Sequence, residues 1–281
     1  MLRTIRLTLA VIFFAFITLL FLDFTGTLHA WFGWMAKIQF LPAVLALNIG
    51  VVLFLAVLTL VFGRIYCSVI CPLGVFQDIV SWLSAKRKKN RFRYSPVLKW
   101  LRYGVLGVFV LAIIDGLNSF VVLLAPYSSY GRIVFSLFSP LYQWANNGLV
   151  YLAERADSYA FYETDVWMKS LPTLLIATVT LVVLIVLAWR GGRTYCNTIC
   201  PVGTVLGFLS KYSLLKPVID TKKCNNCGLC ARNCKASCIN IKAHEIDYSR
   251  CVACMDCINK CRKGAVSYTH LRAHETEADL V

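Results

Sequence analysis

The chain has 281 residues, of which 58% are hydrophobic, and its formal net charge is +15 at pH 7. An apolar fraction this high excludes an ordinary soluble globular domain and predicts membrane helices. The positive charge is explained by loops that face the cytoplasm and anionic lipid, so no nucleic acid partner is predicted.

Four stretches are long and apolar enough to cross a bilayer as helices: about Ile5 to Leu22, Leu41 to Phe62, Val97 to Ile114, and Leu171 to Trp189. The third is the weakest, because Lys99 and Arg102 lie near its start, where long basic side chains snorkel. A further apolar run, Leu117 to Ala125, is too short to span alone and is interfacial, re-entrant or an extension of the third helix. We predict an all-α membrane domain of four helices over residues 1–210.

The distribution of charge predicts the orientation of these helices. The segment from Arg64 to Lys99 carries eight Lys/Arg against one Asp, and both chain ends are basic. The loop over residues 115–170 carries three Lys/Arg and five Asp/Glu. By the positive-inside rule, both termini and the middle basic loop are cytoplasmic. The prediction is a multi-pass protein of a bacterial inner membrane.

An internal repeat closes the second and fourth predicted spans. Residues 63–74 read GRIYCSVICPLG and residues 192–203 read GRTYCNTICPVG, with eight of twelve positions identical. Each copy carries a C-x3-C-P motif, which contributes Cys67 and Cys71 in the first copy and Cys196 and Cys200 in the second. If a pseudo-two-fold axis relates the copies, the four sulfurs converge on one site.

Two interpretations of the C-x3-C-P motifs are open. Thiols one helical turn apart form a natural bidentate ligand. Soft thiolates suit a further iron–sulfur cluster, copper(I) or zinc, and a thiol–disulfide couple is a further option. Alternatively, each motif is only a helix-terminating corner. The neighbouring Arg64 and Arg193 stabilise thiolates or a cluster, or else anchor to lipid headgroups.

The most informative motif is repeated near the C-terminal end. Eight cysteines follow the spacing C-x2-C-x2-C-x3-C twice, which is typical of bacterial two-cluster ferredoxins and of a small α+β domain. In this spacing three neighbouring cysteines bind one 4Fe-4S cluster and the fourth binds the other. The first predicted ligand set is Cys224, Cys227, Cys230 and Cys261. The second is Cys251, Cys254, Cys257 and Cys234.

This motif departs from the usual pattern at three positions. Proline normally follows the fourth cysteine, but Lys235 and Arg262 stand there. Nearby positive charge can raise the reduction potential of a cluster. Cys238 is an additional thiol, interpreted either as a spare ligand or as a small packed side chain.

The predicted domain boundaries follow from these motifs. Residues 211–223 are a linker between the membrane domain and the ferredoxin domain, which covers residues 224–266. Residues 267–281 resemble translated sequencing-adapter read-through, and we interpret them as a non-native tail.

From Met1 to Val266 the chain resembles the NapH-type membrane ferredoxins, in its four spans, paired C-x3-C-P motifs and two-cluster ferredoxin region. Related cores occur in NosR regulators and in CcoG/RdxA/FixG proteins. The resemblance implies electron exchange between the quinone pool and a redox partner protein. It therefore implies quinone or quinol as a partner, and a role as the electron-transfer subunit of a quinol dehydrogenase. It leaves the role of the C-x3-C-P cysteines open.

Two alternatives from other functional classes remain open. One is an assembly factor that reduces copper or handles another metal. The other is a redox-sensing regulator that binds a partner according to cluster state.

Overall fold

The computed structural model describes residues 2–23, 26–85, 92–155, 162–166 and 170–270. Long apolar helices dominate the first 210 residues, and short helices and strands follow. The α-helices before the first C-x3-C-P motif are α1 (Leu2–Leu22), α2 (Thr27–Phe32), α3 (Trp34–Lys37), α4 (Phe40–Leu45) and α5 (Ile49–Phe62). Those from the first motif to the start of the second are α6 (Tyr66–Val69), α7 (Pro72–Ala85), α8 (Lys99–Ile114), α9 (Asn118–Leu124), α10 (Pro126–Ile133), α11 (Ser139–Glu154) and α12 (Leu171–Gly191). A π-helical turn, Val134–Phe138, joins α10 to α11.

Two of the four predicted spans form single helices of spanning length. Among the described residues, α1 and α12 each have 21 residues and are apolar enough to cross a membrane. The second predicted span is broken, because α4 ends at Leu45 and α5 begins after Asn48, whose side chain accepts a hydrogen bond from the Val51 amide at 3.3 Å. The third span, α8, has only 16 residues. Four spanning helices therefore remain a prediction.

The predicted outer loop over residues 115–170 is largely helical instead. Helix α9 and the continuous helix over residues 126–154 meet at Ala125, where the chain bends by 82°. Together these two helices are a further candidate span. Pro126 starts the second helix because proline lacks the amide hydrogen that a continuing helix would need. Hydropathy did not predict this helix, because it contains polar residues such as Asn146 and Asn147.

The helices after the two C-x3-C-P motifs pack in a reciprocal way. The second motif lies on α13 (Thr194–Thr198) and leads into α14 (Pro201–Ser210). Helix α7, which follows the first motif, packs against α12, the helix that leads into the second motif. Helix α14 packs against α5, the helix that leads into the first. This exchange brings the two motifs face to face.

The region after Ser210 is a small α+β unit. Its elements are β1 (Leu215–Ile219), α15 (Leu229–Arg232), β2 (Ile239–Asn240), β3 (Glu245–Ile246), α16 (Asp256–Lys260) and β4 (Val266–His270). Strand β1 pairs antiparallel with β4, from Leu215 opposite His270 to Ile219 opposite Val266, and β2 pairs with β3.

The predicted boundaries of this unit differ from the observed ones. The predicted linker, residues 211–223, contains β1, which is an integral strand of the unit. Residues 267–270 of the predicted tail continue β4, and within them the Tyr268 hydroxyl donates to the Phe62 carbonyl at 2.9 Å. Residues 271–281 of the tail lie outside the described residues.

Candidate iron–sulfur and thiolate sites

The first predicted ligand set surrounds one cavity. Cys224, Cys227, Cys230 and Cys261 all line a cavity of about 310 Å³, together with residues of β1 and of the turn before β4. Cys227 is exposed, Cys224 and Cys261 are half-buried, and Cys230 is buried. Three of these cysteines come from one motif and the fourth from the other, as the ferredoxin spacing predicts.

The second predicted ligand set surrounds a smaller cavity of about 20 Å³. It is lined by Cys234, Cys251, Cys254 and Cys257, and also by Cys238. All of these side chains are buried except Cys251, which is half-buried. The room for a 4Fe-4S cluster therefore differs between the sites: the first cavity has about 310 Å³ and the second only about 20 Å³.

Cys238 lies between two cysteines of the second set. Its Sγ is 3.4 Å from Cys234 Sγ, and it also interacts electrostatically with Cys251. The hydrogen bond with Cys238 lowers the pKa of Cys234 to about 7, although burial opposes this shift. This position is close enough for the spare-ligand interpretation, and the interpretation of Cys238 as a packed side chain stays open as well.

The four C-x3-C-P cysteines converge on one buried place. Cys67, Cys71, Cys196 and Cys200 are each at most 4% exposed, and each interacts electrostatically with the other three. Burial and neighbouring thiolates raise the pKa of the Cys71 thiol. Burial also raises the pKa of Cys196, to about 11, although Arg193 acts in the opposite direction. Four thiolates here thus require compensating positive charge, from a metal centre or from cationic side chains.

Two arginines supply such charge, and each donates a hydrogen bond to the backbone of the other motif. Arg193 of the second motif donates from Nη1 to the Cys67 carbonyl, and Arg64 of the first donates from Nη2 to the Cys196 carbonyl at 3.2 Å. Arg64 Nη2 also lies 3.9 Å from Cys67 Sγ. Both arginines are 0% exposed, which excludes the lipid-headgroup interpretation of these two side chains.

Glycine is required where the motifs meet. A Cβ at Gly74 would lie 2.2 Å from the Cys67 carbonyl oxygen, and one at Gly203 would lie 2.2 Å from the Cys196 carbonyl oxygen. Each glycine follows the proline of its motif by two residues, so the same close approach of backbone occurs in both copies. The repeat thus encodes the geometry of the corner as well as its cysteines.

A buried ionic network, absent from the sequence prediction, surrounds Asp78. Its carboxylate accepts two hydrogen bonds from Arg193, both at 2.8 Å, and lies 3.3 Å from Arg6 Nη1 and 3.6 Å from Lys235 Nζ. Burial alone would raise the pKa of Asp78, but Arg193, Lys235 and Arg6 hold it well below its usual range. Lys235 Nζ also lies 3.3 Å from Asp256. Lys235 therefore occupies the usual proline position as an ionic bridge between the two domains.

The ferredoxin unit docks directly on the C-x3-C-P motifs. The Arg193 amide donates to the Lys235 carbonyl at 2.9 Å, Asn197 Nδ2 to the Ala236 carbonyl at 3.2 Å, and Arg64 Nη1 to the Ser249 carbonyl at 3.1 Å.

Arg102 also takes part in this docking. It is 3% exposed and donates from Nη2 to the Ser249 carbonyl at 3.0 Å, so the expectation that it snorkels to lipid is wrong. The sequence signal for this role was a basic residue near the start of an apolar helix. Its partner, Ser249, lies 147 residues away in sequence. Such a partner cannot be read from local sequence.

The eight ferredoxin-spaced thiol groups line two cavities. Within the described part of the chain, no group of three or more His, Cys, Asp or Glu side chains is arranged to hold a single metal ion. A 4Fe-4S cube needs its sulfur ligands distributed around a cavity, whereas zinc draws four ligands to one centre. The cavity between Cys224 and Cys261 therefore suits a cluster better than a zinc ion.

A protein-family model described as a 4Fe-4S binding domain matches the chain over residues 44–91 and 171–221. Each matched segment contains one C-x3-C-P motif, and the only cysteines within the two segments are Cys67, Cys71, Cys196 and Cys200. The eight ferredoxin-spaced cysteines lie outside both segments.

The chain is also similar to several known proteins. An uncharacterized protein of Methanocaldococcus jannaschii is 26% identical, and the match covers 96% of this chain and 95% of that protein. The ferredoxin-type protein NapH of Haemophilus influenzae is 28% identical, over 81% of this chain and 68% of NapH. The methylamine utilization ferredoxin-type protein MauN of Methylobacillus flagellatus is 24% identical, over 73% of this chain and 62% of MauN. No solved structure matches the chain significantly.

The family match, the ferredoxin-type relatives and the long apolar helices agree with one another. They show that the chain is similar to the NapH-type ferredoxins, and they support a membrane protein with a role in iron–sulfur electron transfer.

Proposed function

We propose that this protein passes electrons between the quinone pool and a redox partner protein through two 4Fe-4S clusters. The observation that carries the proposal is the division of eight cysteines between two cavities, each combining three cysteines of one motif with one of the other. When bound there, a cluster supplies one-electron transfer. The ligands would be Cys224, Cys227, Cys230 and Cys261 in the first cavity, and Cys251, Cys254, Cys257 and Cys234 in the second.

The surroundings of the two cysteine sets differ. The first set includes the exposed Cys227 and so suits exchange with a soluble partner. The second set adjoins Lys235, whose ammonium group acts on Cys254 together with the carboxylate of Asp256. Cys257 of the second set interacts electrostatically with Cys230 of the first, so the two sets are neighbours.

The C-x3-C-P cysteines would form a third redox centre between the second set and the membrane. Three observations support this part of the proposal: the convergence of four buried thiols, the two buried arginines beside them, and the family description of 4Fe-4S binding for segments that contain no other cysteines. Arg64 and Arg193 would offset the negative charge of the thiolates. A copper(I) or zinc site, or a thiol–disulfide couple, would use the same cysteines.

The membrane part of the proposal rests on the distribution of charge. The ferredoxin unit and both chain ends would lie on the cytoplasmic side of a bacterial inner membrane, as the positive-inside rule predicts. Quinol would then meet the protein in the lipid, beside the C-x3-C-P site, and the chain would act as the electron-transfer subunit of a quinol dehydrogenase. The name of NapH as a ferredoxin-type protein is consistent with this role.

Metal analysis of three matched variants tests the assignment. Each variant replaces two cysteines of one set by serine, in protein purified without oxygen, and iron, sulfide, copper and zinc are counted. The pairs are Cys224 with Cys227, Cys254 with Cys257, and Cys67 with Cys196.

Each of the first two variants is expected to lose the iron and sulfide of one cluster. The Cys67/Cys196 variant is expected to lose as much iron and sulfide as each of the other two variants, from the third centre. Copper or zinc lost in place of iron would favour a metal-handling function. Full metal retention in the first two variants would contradict the proposed ligand sets. Cys238→Ser is the control, because four ligands remain around the second cavity.

A further inference from the structure

Exposed cations lie in the two chain segments that form the first cavity. Residues 220–233 and 258–266, which border it in the chain, contain six Lys/Arg and one Asp. All six basic side chains are exposed: Lys222, Lys223, Arg232, Lys260, Arg262 and Lys263. We call these six residues the basic rim. Arg262 and Lys263 line the cavity itself.

The basic rim takes little part in holding the fold. Lys223 pairs with Asp220 at 3.3 Å, with its own side chain 67% exposed, and the other five form no ion pair with any residue that the structure describes. The cations at the contact between the ferredoxin unit and the C-x3-C-P motifs behave differently. Arg64 and Arg193 are fully buried and hydrogen-bonded, and Lys235 bridges two carboxylates. The cations of this contact are thus paired or buried, whereas those of the basic rim are exposed.

The rim also lies in the chain segments that carry the more accessible of the two cysteine sets. Cys227 is exposed and two of its partners are half-buried, whereas three of the four cysteines in the second set are buried. Electron exchange with a soluble protein requires close approach to a redox centre, so the first cavity is the place where such a protein would dock. The charge around that place then decides which partners approach it.

We propose that the basic rim is the docking surface for a small soluble redox protein whose own redox centre is surrounded by acidic residues. The inference rests on the proposed function, because it takes the first cavity to hold a cluster. Complementary charge steers diffusional encounter and raises the association rate by about 10- to 1,000-fold at low ionic strength. Five unpaired cations at the surface provide this steering, and salt weakens it because the rim is exposed.

The test uses the full-length protein in zwitterionic lipid nanodiscs, with a strongly acidic soluble ferredoxin as the probe. Association is measured by stopped flow at low and high salt. The variant Lys222→Glu/Lys263→Glu reverses two rim charges, at positions that do not adjoin a cysteine in the chain. Its matched control, Lys37→Glu/Lys99→Glu, makes the same change in net charge at exposed positions outside the rim.

The rim variant is expected to associate at least about tenfold more slowly than the control at low salt, with the difference shrinking at high salt. Equal rates for the two variants would overturn the inference. So would rates that do not respond to salt. Binding of the rim to anionic phosphatidylglycerol vesicles, without binding of the ferredoxin, would assign the charge to lipid and also overturn it.

Iron content, measured in the same preparations, separates this inference from the proposed function. Wild-type protein without iron after anaerobic reconstitution would contradict the proposed function itself. Normal iron content with equal association rates would contradict only the docking surface.

Discussion

Replacing Asp78 by Asn is expected to loosen the contact between the membrane domain and the ferredoxin unit. The carboxylate is 11% exposed and faces three cations, with two 2.8 Å hydrogen bonds to Arg193 alone. Asparagine keeps the shape but removes the negative charge, so Arg193 stays buried without its counterion. Removing one partner of a buried ion pair costs about 3–5 kcal/mol, because the remaining charge is uncompensated. At about 1.4 kcal/mol for each factor of ten, the unfolding equilibrium changes by at least two orders of magnitude.

Thermal unfolding in detergent, followed by tryptophan fluorescence, measures this loss. The matched control is Asp220→Asn, which removes a carboxylate from a pair with the largely exposed Lys223 and is expected to change stability very little. Protease accessibility of the ferredoxin unit gives a second readout, because Lys235 links Asp78 to that unit. If Asp78→Asn were as stable and as protected as Asp220→Asn, the ionic network would have no structural role.

The pH dependence of the same variant is a further test. The pKa of Asp78 is lowered in the folded protein, so its stabilising contribution is present above the ordinary pKa of an aspartate. It is lost only as the pH falls through the lowered value. The stability difference between wild type and Asp78→Asn is therefore expected to stay constant from about pH 6 to 8 and to shrink in acid. A difference that disappeared near neutral pH would contradict this ionisation.

Three further predictions concern the same interface. Gly203→Ala would place a Cβ 2.2 Å from the Cys196 carbonyl oxygen and should destabilise the protein by about 1–3 kcal/mol in the same unfolding assay. The control Gly107→Ala, in open space on α8, should be neutral or stabilising. Cys234→Ala should keep the iron of the second cluster, because Cys238 lies 3.4 Å away and can replace the lost ligand. The double variant Cys234→Ala/Cys238→Ala should lose this iron. Equal iron content in the two variants would exclude the spare-ligand interpretation. Arg102→Gln removes a buried guanidinium that binds the ferredoxin unit, and should speed proteolysis of that unit; unchanged cleavage would contradict its docking role.

Some of this site could be predicted from sequence because its information is local. The C-x2-C-x2-C-x3-C spacing predicted which cysteines would share a cavity, and the structure brings those residues together. The duplicated C-x3-C-P motif predicted the convergence of four thiols, since equivalent corners meet when a repeat packs on itself. Arg64 and Arg193 were visible in the motif, but their exchange between copies depends on how α7 and α14 pack.

Other parts depend on partners distant in sequence. Asp78 was the single acidic residue in a basic segment, yet its role follows from Arg6, Arg193 and Lys235, which come from three different regions. Helix α11 carries amides on a partly apolar helix, a pattern that hydropathy alone assigns to a loop. Strand β1 was read as linker because its partner β4 lies about fifty residues later, beyond any local signal.

A potentiometric EPR titration of the anaerobically purified protein, together with an iron count, tests the central claim most directly. The account predicts signals from two 4Fe-4S clusters with midpoint potentials near that of the quinone pool. It also predicts additional iron that is lost when Cys67, Cys71, Cys196 and Cys200 are replaced. Protein that shows no cluster signal after careful reconstitution would contradict the claim that this chain transfers electrons.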